Sequence, residues 1–240
     1  MNGDRNYIPA VEFNNVSYSY PDGAMALSEI SLTIYQDERV AILGANGAGK
    51  STLLLHMNGL IKSEGNVSVF GVPVVKKNLP AIRRQVGYLF QNPDDQLFCP
   101  TVYEDVAFGP RNSGVNEEDI AELVRESLAS VGLNGAGAHP PFHLSLGEKK
   151  RAAIATLLAM KPKILALDEP TASLDPRGKR EISALLEKIG GTQVFVTHDL
   201  DLARKSCQRT IILYKGRVKL DGPTEDVLKD RQLLIETGLA

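Results

Sequence analysis

The sequence predicts an α/β fold with a parallel-sheet core, an N-terminal antiparallel β region and a helical segment in the middle of the chain. Residues 11–20 and 27–34 are rich in β-branched and aromatic residues and flank a turn at residues 21–23, the pattern of two antiparallel strands. Residues 163–168 are predicted to form a strand whose centre, 164–167, is an unbroken apolar run, which is typical of a parallel strand buried on both faces.

The first part of the chain also contains shorter predicted strands and one predicted helix. Residues 38–43, 66–70 and 86–90 are predicted to be strands. The first of these stretches runs directly into a glycine cluster, and a helix is predicted to begin near Lys50.

The middle of the chain, from Thr101 to Met160, is predicted to be mostly helical. Residues 116–132 carry acids at their start, apolar residues three and four apart, and Gly132 at their end. We therefore predict a helical subdomain over about residues 91–160.

The α/β pattern returns in the last third of the chain. We predict a single domain over residues 1–240, in which 1–90 and 163–240 form the α/β core. The C-terminal elements are predicted in this order: a helix at about 176–189, a strand at 193–197, a short helix near 199–206, a hairpin at 209–221, and a helical tail from Pro223.

Charge and composition exclude several function classes. The chain has 27 basic and 29 acidic side chains, so it lacks the basic excess that a nucleic-acid-binding surface would require. Cys99 and Cys207 are far apart and form no paired motif, which fits a reducing compartment better than a disulfide framework. The first residues lack an apolar stretch, so no signal peptide is expected, and no window reaches the roughly 18 apolar residues of a membrane helix. Any role at a membrane is expected to go through a partner.

Residues 44–51 match the phosphate-loop motif G-x-x-x-x-G-K-[ST] between a predicted strand and a predicted helix. Glycines let backbone N–H groups converge on phosphate oxygens, and the positive end of the following helix points to the same place. The Lys50 ammonium is expected to reach the β- and γ-phosphates, and the Ser51 hydroxyl to ligate Mg²⁺. The residues predicted to bind nucleotide here are Asn46, Gly47, Ala48, Gly49, Lys50, Ser51 and Thr52.

Two acids, Asp168 and Glu169, directly follow the apolar residues 164–167 of the strand predicted at 163–168. An acid at the end of a buried strand is costly unless it faces a cation or a hydrogen-bond donor, so Asp168 is predicted to be a Mg²⁺ partner through water or Ser51. Glu169, the next residue, is predicted to point elsewhere and to accept a proton from the attacking water.

Further motifs make the chain resemble the ABC ATPase family, a class of P-loop NTPases, over nearly its whole length. Residues 144–148 (LSLGE) resemble the family signature LSGGQ, and residues 170–175 (PTASLD) resemble its D-loop. Residues 196–199 (VTHD) resemble the switch-histidine motif. Gln91 lies where the family has its Q-loop glutamine, and Tyr20 lies where a family aromatic residue stacks on adenine.

The resemblance implies a dimer that binds ATP and Mg²⁺ between its two copies and hydrolyses the ATP. Its Q-loop glutamine senses the γ-phosphate and Mg²⁺, and its histidine holds the attacking water and the base in line. The implied catalytic residues are Glu169, His198 and Gln91, and the implied Mg²⁺ ligands are Ser51, Gln91 and Asp168.

The family signature is a helix N-terminus that binds the γ-phosphate held by the other copy. By resemblance, Ser145 supplies a hydroxyl, Gly147 supplies a backbone N–H, and Asp175 crosses the dimer interface. Two positions depart from the family pattern: Leu146 replaces a glycine and Glu148 replaces a glutamine. Neither change removes the hydroxyl or the N–H, but the second adds a carboxylate near the other copy's nucleotide.

Two assignments have alternatives. Tyr18 is an alternative to Tyr20 as the base platform, and since stacking tolerates different bases, GTP is an alternative nucleotide. His139 and His143 have the spacing of a metal pair, but two prolines lie between them and prevent a shared helical face, so we predict loop residues.

Residues 91–98, 101–102 and 108–110 closely resemble ATPases of energy-coupling-factor (ECF) importers, including the cobalt and nickel uptake systems. This resemblance implies an integral membrane scaffold protein and a membrane substrate-binding protein as partners, with residues 91–110 forming the groove for coupling helices of the scaffold. Residues 149–151 and 154–155 are similar to the single-ATPase, metal-ion branch, which acts as a homodimer.

The implied location is the cytoplasmic face of the cell membrane, as a peripheral subunit that pairs with itself or with a paralogous ATPase. An ECF vitamin importer and a non-transport soluble ABC ATPase are alternatives. DNA-repair members carry a coiled-coil insertion of hundreds of residues between phosphate loop and signature. In this chain only residues 52–143 separate the two motifs, which is too few for such an insertion. Translation members carry two ATPase units per chain, and unrelated phosphate-loop kinases and GTPases lack a signature and a D-loop.

Overall fold

The computed structural model describes residues 8–62 and 66–239. Within these ranges the chain builds a four-stranded antiparallel sheet, a six-stranded mainly parallel sheet, and helices that cover the larger sheet. The strands in chain order are β1 (Pro9–Ser19), β2 (Met25–Tyr35), β3 (Arg39–Leu43), β4 (Asn66–Val69), β5 (Val72–Pro73), β6 (Val86–Leu89), β7 (Ile164–Asp168), β8 (Thr192–Val196), β9 (Arg209–Tyr214) and β10 (Arg217–Pro223).

The antiparallel sheet has the strand order β2-β1-β4-β5 and is built on the long hairpin of β1 and β2. Val11 pairs with Ile34 and Val16 with Ile30, and all four side chains are buried in one apolar cluster. The predicted N-terminal antiparallel region is therefore confirmed.

The larger sheet has the order β10-β9-β3-β8-β7-β6, and all its neighbouring pairs are parallel except β9 with β10. Because β3, β7 and β8 run in the same direction, their carboxyl ends meet at one edge of the sheet. The loops that follow Leu43, Asp168 and Val196 therefore begin side by side, which brings together the segments that carry the predicted site.

The two faces of this sheet are covered by different layers. Val40 and Ile42 of β3 face the antiparallel sheet and the helix that follows β3, whereas Ala41 and Leu43 face the remaining helices. Each of these side chains is fully buried. Burial on both faces explains why the parallel strands read as continuous apolar runs.

Several helices begin where the sequence supplies capping side chains. Thr101 and Ser145 each form a capping box with the glutamate three residues later, and Asp175 and Asp199 also cap helices. In chain order the helices are α1 (Lys50–Met57), α2 (Leu79–Gln85), α3 (Val102–Asn112), α4 (Glu117–Ser130), α5 (Leu146–Leu158), α6 (Pro176–Lys188), α7 (Leu200–Ser206), α8 (Thr224–Val227) and α9 (Arg231–Glu236).

Helices α3, α4 and α5 pack on one another and share one apolar cluster with a face of the larger sheet. The cluster includes Val106 from α3, Val124 from α4 and Ala153 from α5, together with Leu165 from the sheet. The helical character of the middle of the chain agrees with expectation, and the limits of the subdomain at about residues 91–160 remain a prediction.

Two short elements, β5 and α2, were not predicted from the sequence. Strand β5 has two residues, and α2 buries only Ile82, so neither carries a clear periodic pattern. Among the helices of residues 8–62 and 66–239, none combines the length and the apolar character needed to cross a lipid bilayer.

Candidate active site

The phosphate-loop segment lies between β3 and α1, and its backbone is pressed closely against the antiparallel sheet. Gly49, which precedes α1, has a φ of 98°, and a Cβ atom there would lie 2.3 Å from the Ala26 carbonyl oxygen. Gly47 has a φ of 78°. Only glycine adopts these conformations readily, which leaves the N–H groups at the start of α1 accessible to an anion.

Lys50 places a buried ammonium beneath this loop. Its side chain is 6% exposed, and Nζ donates hydrogen bonds to the carbonyl oxygens of Gly44 and Ala45 at 2.8 and 3.0 Å. Burial lowers the pKa of the Lys50 ammonium, while the charges of Glu169 and Asp168 oppose this shift. A cation removed from water at the start of a helix is suited to bind a phosphate chain.

Asp168 ends β7 with both carboxylate oxygens hydrogen-bonded. Oδ1 accepts from the Ser51 hydroxyl at 3.0 Å, and Oδ2 accepts from the Tyr88 hydroxyl at 2.9 Å. Burial raises the pKa of Asp168, and these two hydrogen bonds act in the opposite direction. Hydroxyl, carboxylate and carboxamide oxygens are the ligands that Mg²⁺ prefers, so Ser51, Asp168 and Gln91 form a donor set that fits this ion.

Glu169 presents a carboxylate that is fixed at both oxygens. Its Oε1 lies 2.7 Å from Nδ1 of His198, and its Oε2 accepts from the Thr197 hydroxyl at 3.1 Å. The Glu169 backbone N–H donates to the Val196 carbonyl oxygen at 2.8 Å. The end of β8 therefore orients this side chain, which lies at the cleft but is only 6% exposed.

Most of the predicted nucleotide-site residues line one open cleft of about 440 Å³ at the carboxyl edge of the larger sheet. Asp168 lies beneath this cleft through its bond to Ser51, and Ala48 is buried within the loop. The predicted residues that line it are Tyr20, Asn46, Gly47, Gly49, Lys50, Ser51, Thr52, Gln91, Glu169 and His198.

The structure separates the two tyrosine alternatives. Tyr20 lines the cleft and is 39% exposed, and its hydroxyl forms a 2.9 Å hydrogen bond with the Thr52 hydroxyl. Tyr18 instead packs edge-on against the Tyr20 ring on one side and against the buried His56 on the other. Tyr20 is therefore the ring whose face a nucleobase can reach, and the side-chain hydrogen bond holds it in place.

The signature segment lines a different cleft of about 420 Å³ together with Asp175. Ser145 caps α5, and its hydroxyl donates to Oε2 of Glu148 at 2.6 Å. Asp175 caps α6 by accepting from the Gly178 N–H at 2.7 Å. Gly147 lies in the first turn of α5, so this cleft also contains a helix N-terminus and is another potential anion site.

Tyr88 and Thr197 are site residues that the sequence did not reveal. Tyr88 lies within an apolar strand, where an aromatic residue is ordinarily core, and its contact with Asp168 spans 80 positions. Burial raises the pKa of the Tyr88 phenol, so it remains a hydrogen-bond donor. Thr197 lies inside the switch-histidine motif, and its place next to the histidine was the available signal.

The remaining histidine and cysteine candidates lie outside the two clefts. His139 and His143 fall in loop segments around short 3₁₀ turns, as predicted. Burial raises the pKa of the Cys99 thiol to about 11 and that of the Cys207 thiol to about 12, so both stay protonated at neutral pH. Within the described ranges, no group of three His, Cys, Asp or Glu side chains could hold a metal ion.

Replacing Tyr88 by phenylalanine is expected to lower the free energy of unfolding by about 1–3 kcal/mol, because it leaves one oxygen of the buried Asp168 without its donor. Urea unfolding of the ligand-free protein measures this difference. Tyr103→Phe, which removes the same atom from a partly buried ring packed against the helices, is the control. Equal stability of Tyr88→Phe and the control would show that the hydrogen bond contributes nothing.

Comparison with known proteins agrees with this geometry. Residues 27–172 match the family described as ABC transporter. The energy-coupling factor transporter ATP-binding protein EcfA of Carboxydothermus hydrogenoformans is 48% identical over 234 residues, which cover 96% of this chain and 86% of that protein.

Two solved structures are also similar. The structure of cbiO1 from Clostridium perfringens, described as part of the ABC transporter complex cbiONQ, has a TM-score of 0.83 and 38% identity and covers 96% of this chain and 95% of its own. The dimeric post-hydrolysis state of the ATP-binding cassette MJ0796, bound to ADP and Pi, has a TM-score of 0.80 and 32% identity over 89% of this chain and 98% of its own. The chain therefore belongs to the ABC transporter family and is an ABC ATPase.

Proposed function

We propose that this chain is the ATPase subunit of an ECF-type importer and works as a dimer in which each copy closes over the nucleotide held by the other. The observation that carries the proposal is the separation of the two potential anion sites. Lys50 and the phosphate loop line one cleft, whereas Ser145 and Gly147 line another. A second copy brings the signature cleft of one chain to the phosphate loop of its partner, and each closed site then draws on both chains.

Binding begins at the phosphate loop. The N–H groups at the start of α1 and the Lys50 ammonium bind the β- and γ-phosphates, and the base stacks on Tyr20. When bound, Mg²⁺ would be held by Ser51, Gln91 and Asp168 and would neutralise charge on the phosphate oxygens. Stacking does not select the base, so ATP is proposed as the nucleotide and GTP remains an alternative.

Hydrolysis then depends on Glu169. Its carboxylate accepts a proton from the attacking water, while Thr197 and His198 hold the carboxylate in place. The signature serine and Gly147 of the partner copy add donors to the γ-phosphate, and Asp175 lies in the same cleft. Loss of the γ-phosphate removes the charge that joins the two copies, so the dimer opens.

The membrane partner is proposed to dock in a groove of about 740 Å³ that is separate from the nucleotide cleft and is lined in part by residues 91–110. Phe98 and Phe108 are 64% and 47% exposed there and stack edge-on with their centroids 5.0 Å apart. Met160 and the stem of Arg83 extend the apolar lining. An exposed aromatic pair in a concave, largely apolar surface is suited to bind a short amphipathic helix of the membrane scaffold.

The two acids that precede this groove differ in their surroundings. Asp94 forms a 2.7 Å ion pair with Lys149 at the start of α5, so its charge is already partnered within the chain. Asp95 is exposed and is the better candidate for pairing with a basic residue of the scaffold.

Cobalt or nickel ions are proposed as the transported substrate, and a vitamin is the alternative. The similarity of residues 149–151 and 154–155 to the metal-ion branch supports the first choice, and the cbiO1 relative belongs to a complex described as cbiONQ. In this proposal the chain is peripheral, at the cytoplasmic face of the membrane, and pairs with itself or a paralogous ATPase.

The experiment that tests this function is affinity purification from detergent-solubilised membranes, followed by uptake into proteoliposomes. We expect integral membrane proteins to co-purify and radiolabelled cobalt or nickel to accumulate only with ATP. Accumulation of a vitamin instead would replace the substrate assignment. Recovery of the chain without any integral membrane protein would contradict the transport function.

The double variant Phe98→Ser/Phe108→Ser is expected to lose co-purification of the scaffold while it still binds ATP. Burying an aromatic side chain against the scaffold contributes roughly 1.5–3 kcal/mol to binding. The loss of both should therefore lower the affinity for the scaffold by ~100-fold or more. Phe142→Ser, which removes an even more exposed aromatic side chain outside the groove, is the control. Normal recovery of the scaffold with the double variant would exclude this groove as the docking surface.

A further inference from the structure

Lys150 is a lysine in the second turn of α5 whose side chain is 2% exposed. Its Nζ donates to two backbone carbonyl oxygens, first that of Glu169 and second that of Gln91, each at 3.1 Å. Burial lowers the pKa of this ammonium, and the negative charges of Glu169 and Asp168 oppose the shift. Removing a cation from water is costly, and an apolar side chain of similar length would cost less. Packing alone therefore does not account for a lysine at this position.

The first acceptor belongs to the proposed catalytic base. Glu169 has a φ of 46°, a left-handed conformation that a residue with a Cβ rarely adopts. Such strain persists only where the surroundings fix the backbone, and it concentrates at functional sites. The Val196 carbonyl oxygen accepts from the N–H of Glu169, and Lys150 donates to its carbonyl oxygen, so the strained residue is held from both sides.

The second acceptor belongs to the Q-loop, which has further connections to the same helix. Gln96 accepts from the Phe90 N–H at 3.2 Å and donates to the Ala153 carbonyl oxygen and the Thr156 hydroxyl, both at 2.8 Å. The segment that begins after β6 is thereby bonded to α5 at three places: through Lys150, through Gln96, and through the ion pair of Asp94 with Lys149. Movement of α5 is expected to carry this segment with it.

We propose that Lys150 is a positioning residue that holds the backbone of Glu169 and the Gln91 loop in fixed relation to the signature helix. Helix α5 begins at Ser145, which the proposed function places on the nucleotide of the partner copy. Engagement of that nucleotide by α5 therefore also sets the base of the copy's own site. In this way nucleotide binding at one site of the dimer affects the catalytic geometry of the other site. The inference rests on the proposed composite site and adds a residue and a route of coupling to it.

The test compares ATP hydrolysis by Lys150→Met and by wild type. Methionine keeps most of the stem but removes the charge and the donors, so kcat should fall by ~10- to 100-fold, the effect of a displaced catalytic group. The KM for ATP and the affinity for a fluorescent ATP analogue should stay unchanged, because Lys150 does not contact the nucleotide cleft. Lys188→Met, at an exposed position on α6, is the control and should keep the wild-type kcat.

Conservative variants separate positioning from a general packing defect. Lys150→Arg keeps a cation and N–H donors and should recover most of the kcat that Lys150→Met loses. If methionine prevents folding, as thermal unfolding would show, Lys150→Gln takes its place with the same expected separation of kcat from KM. A wild-type kcat in the neutral variant, a loss carried by KM, or an arginine variant as slow as the neutral one would each overturn the proposal.

One further arm distinguishes failure of this proposal from failure of the composite site. ATP-dependent dimer formation is measured for Glu169→Gln, with lysine retained at position 150. A dimer together with normal hydrolysis by Lys150→Met would reject only the positioning role. A monomer at every ATP concentration would reject the composite site itself.

Discussion

The Glu169→Gln variant is expected to bind ATP normally, to hydrolyse it at least ~100-fold more slowly than wild type, and to accumulate as an ATP-bound dimer. Glutamine keeps an oxygen that can accept from Thr197 or His198, so the geometry of the site should be retained. It cannot accept the proton of the attacking water, and general-base catalysis typically contributes 10²–10⁴-fold. Phosphate release measures the turnover, and light scattering after size exclusion with ATP measures the dimer.

Glu187→Gln is the matched control for this prediction, since it makes the same change at an exposed position on α6. It should have the turnover of wild type and should not trap a dimer. If Glu169→Gln remained monomeric with ATP and hydrolysed it at the wild-type rate, the assignment of the base would be wrong.

Replacing Lys50 by alanine is expected to abolish measurable nucleotide binding at ordinary concentrations. The ammonium lies under the phosphate loop and is the cation expected to contact the β- and γ-phosphates. Charge-assisted hydrogen bonds contribute roughly 1.5–3 kcal/mol each, so the loss of two lowers affinity by ~100-fold or more. Titration calorimetry with ATP measures the change.

Thermal unfolding of Lys50→Ala without nucleotide must accompany the binding measurement, because the alanine variant also leaves the Gly44 and Ala45 carbonyl oxygens without their donor. Lys188→Ala, which removes an exposed lysine, should bind ATP as wild type does. A folded Lys50→Ala protein that retained wild-type affinity would remove the basis for the phosphate-loop assignment.

Much of the fold could be predicted because its signals are local. The unbroken apolar run of β7 required burial on both faces, and the alternation of strands and helices required a parallel sheet. The grouping of Lys50, Asp168 and His198 was implied by the family resemblance, and the fold explains it, since parallel strands bring their following loops to one edge. Their chemical roles remain predictions, although the structure brings the side chains together.

Other features depend on contacts that the sequence does not encode locally. Tyr88 and Lys150 lie at positions where an apolar side chain would fit the periodic pattern equally well. The contact of Tyr88 with Asp168 becomes visible only when β6 is placed beside β7, and the contacts of Lys150 only when α5 is packed against β6. The Glu148 side chain, a departure from the family signature, also has a contact that only the folded chain reveals, its bond to the Ser145 hydroxyl.

The dependence of ATPase activity on protein concentration tests the composite site most directly. If each active site needs the phosphate loop of one copy and the signature of another, activity per molecule should rise steeply with concentration and then level off as dimers form. Light scattering on the same samples with ATP would relate that rise to dimer formation. A constant activity per molecule, down to concentrations at which the protein is strictly monomeric, would contradict the account.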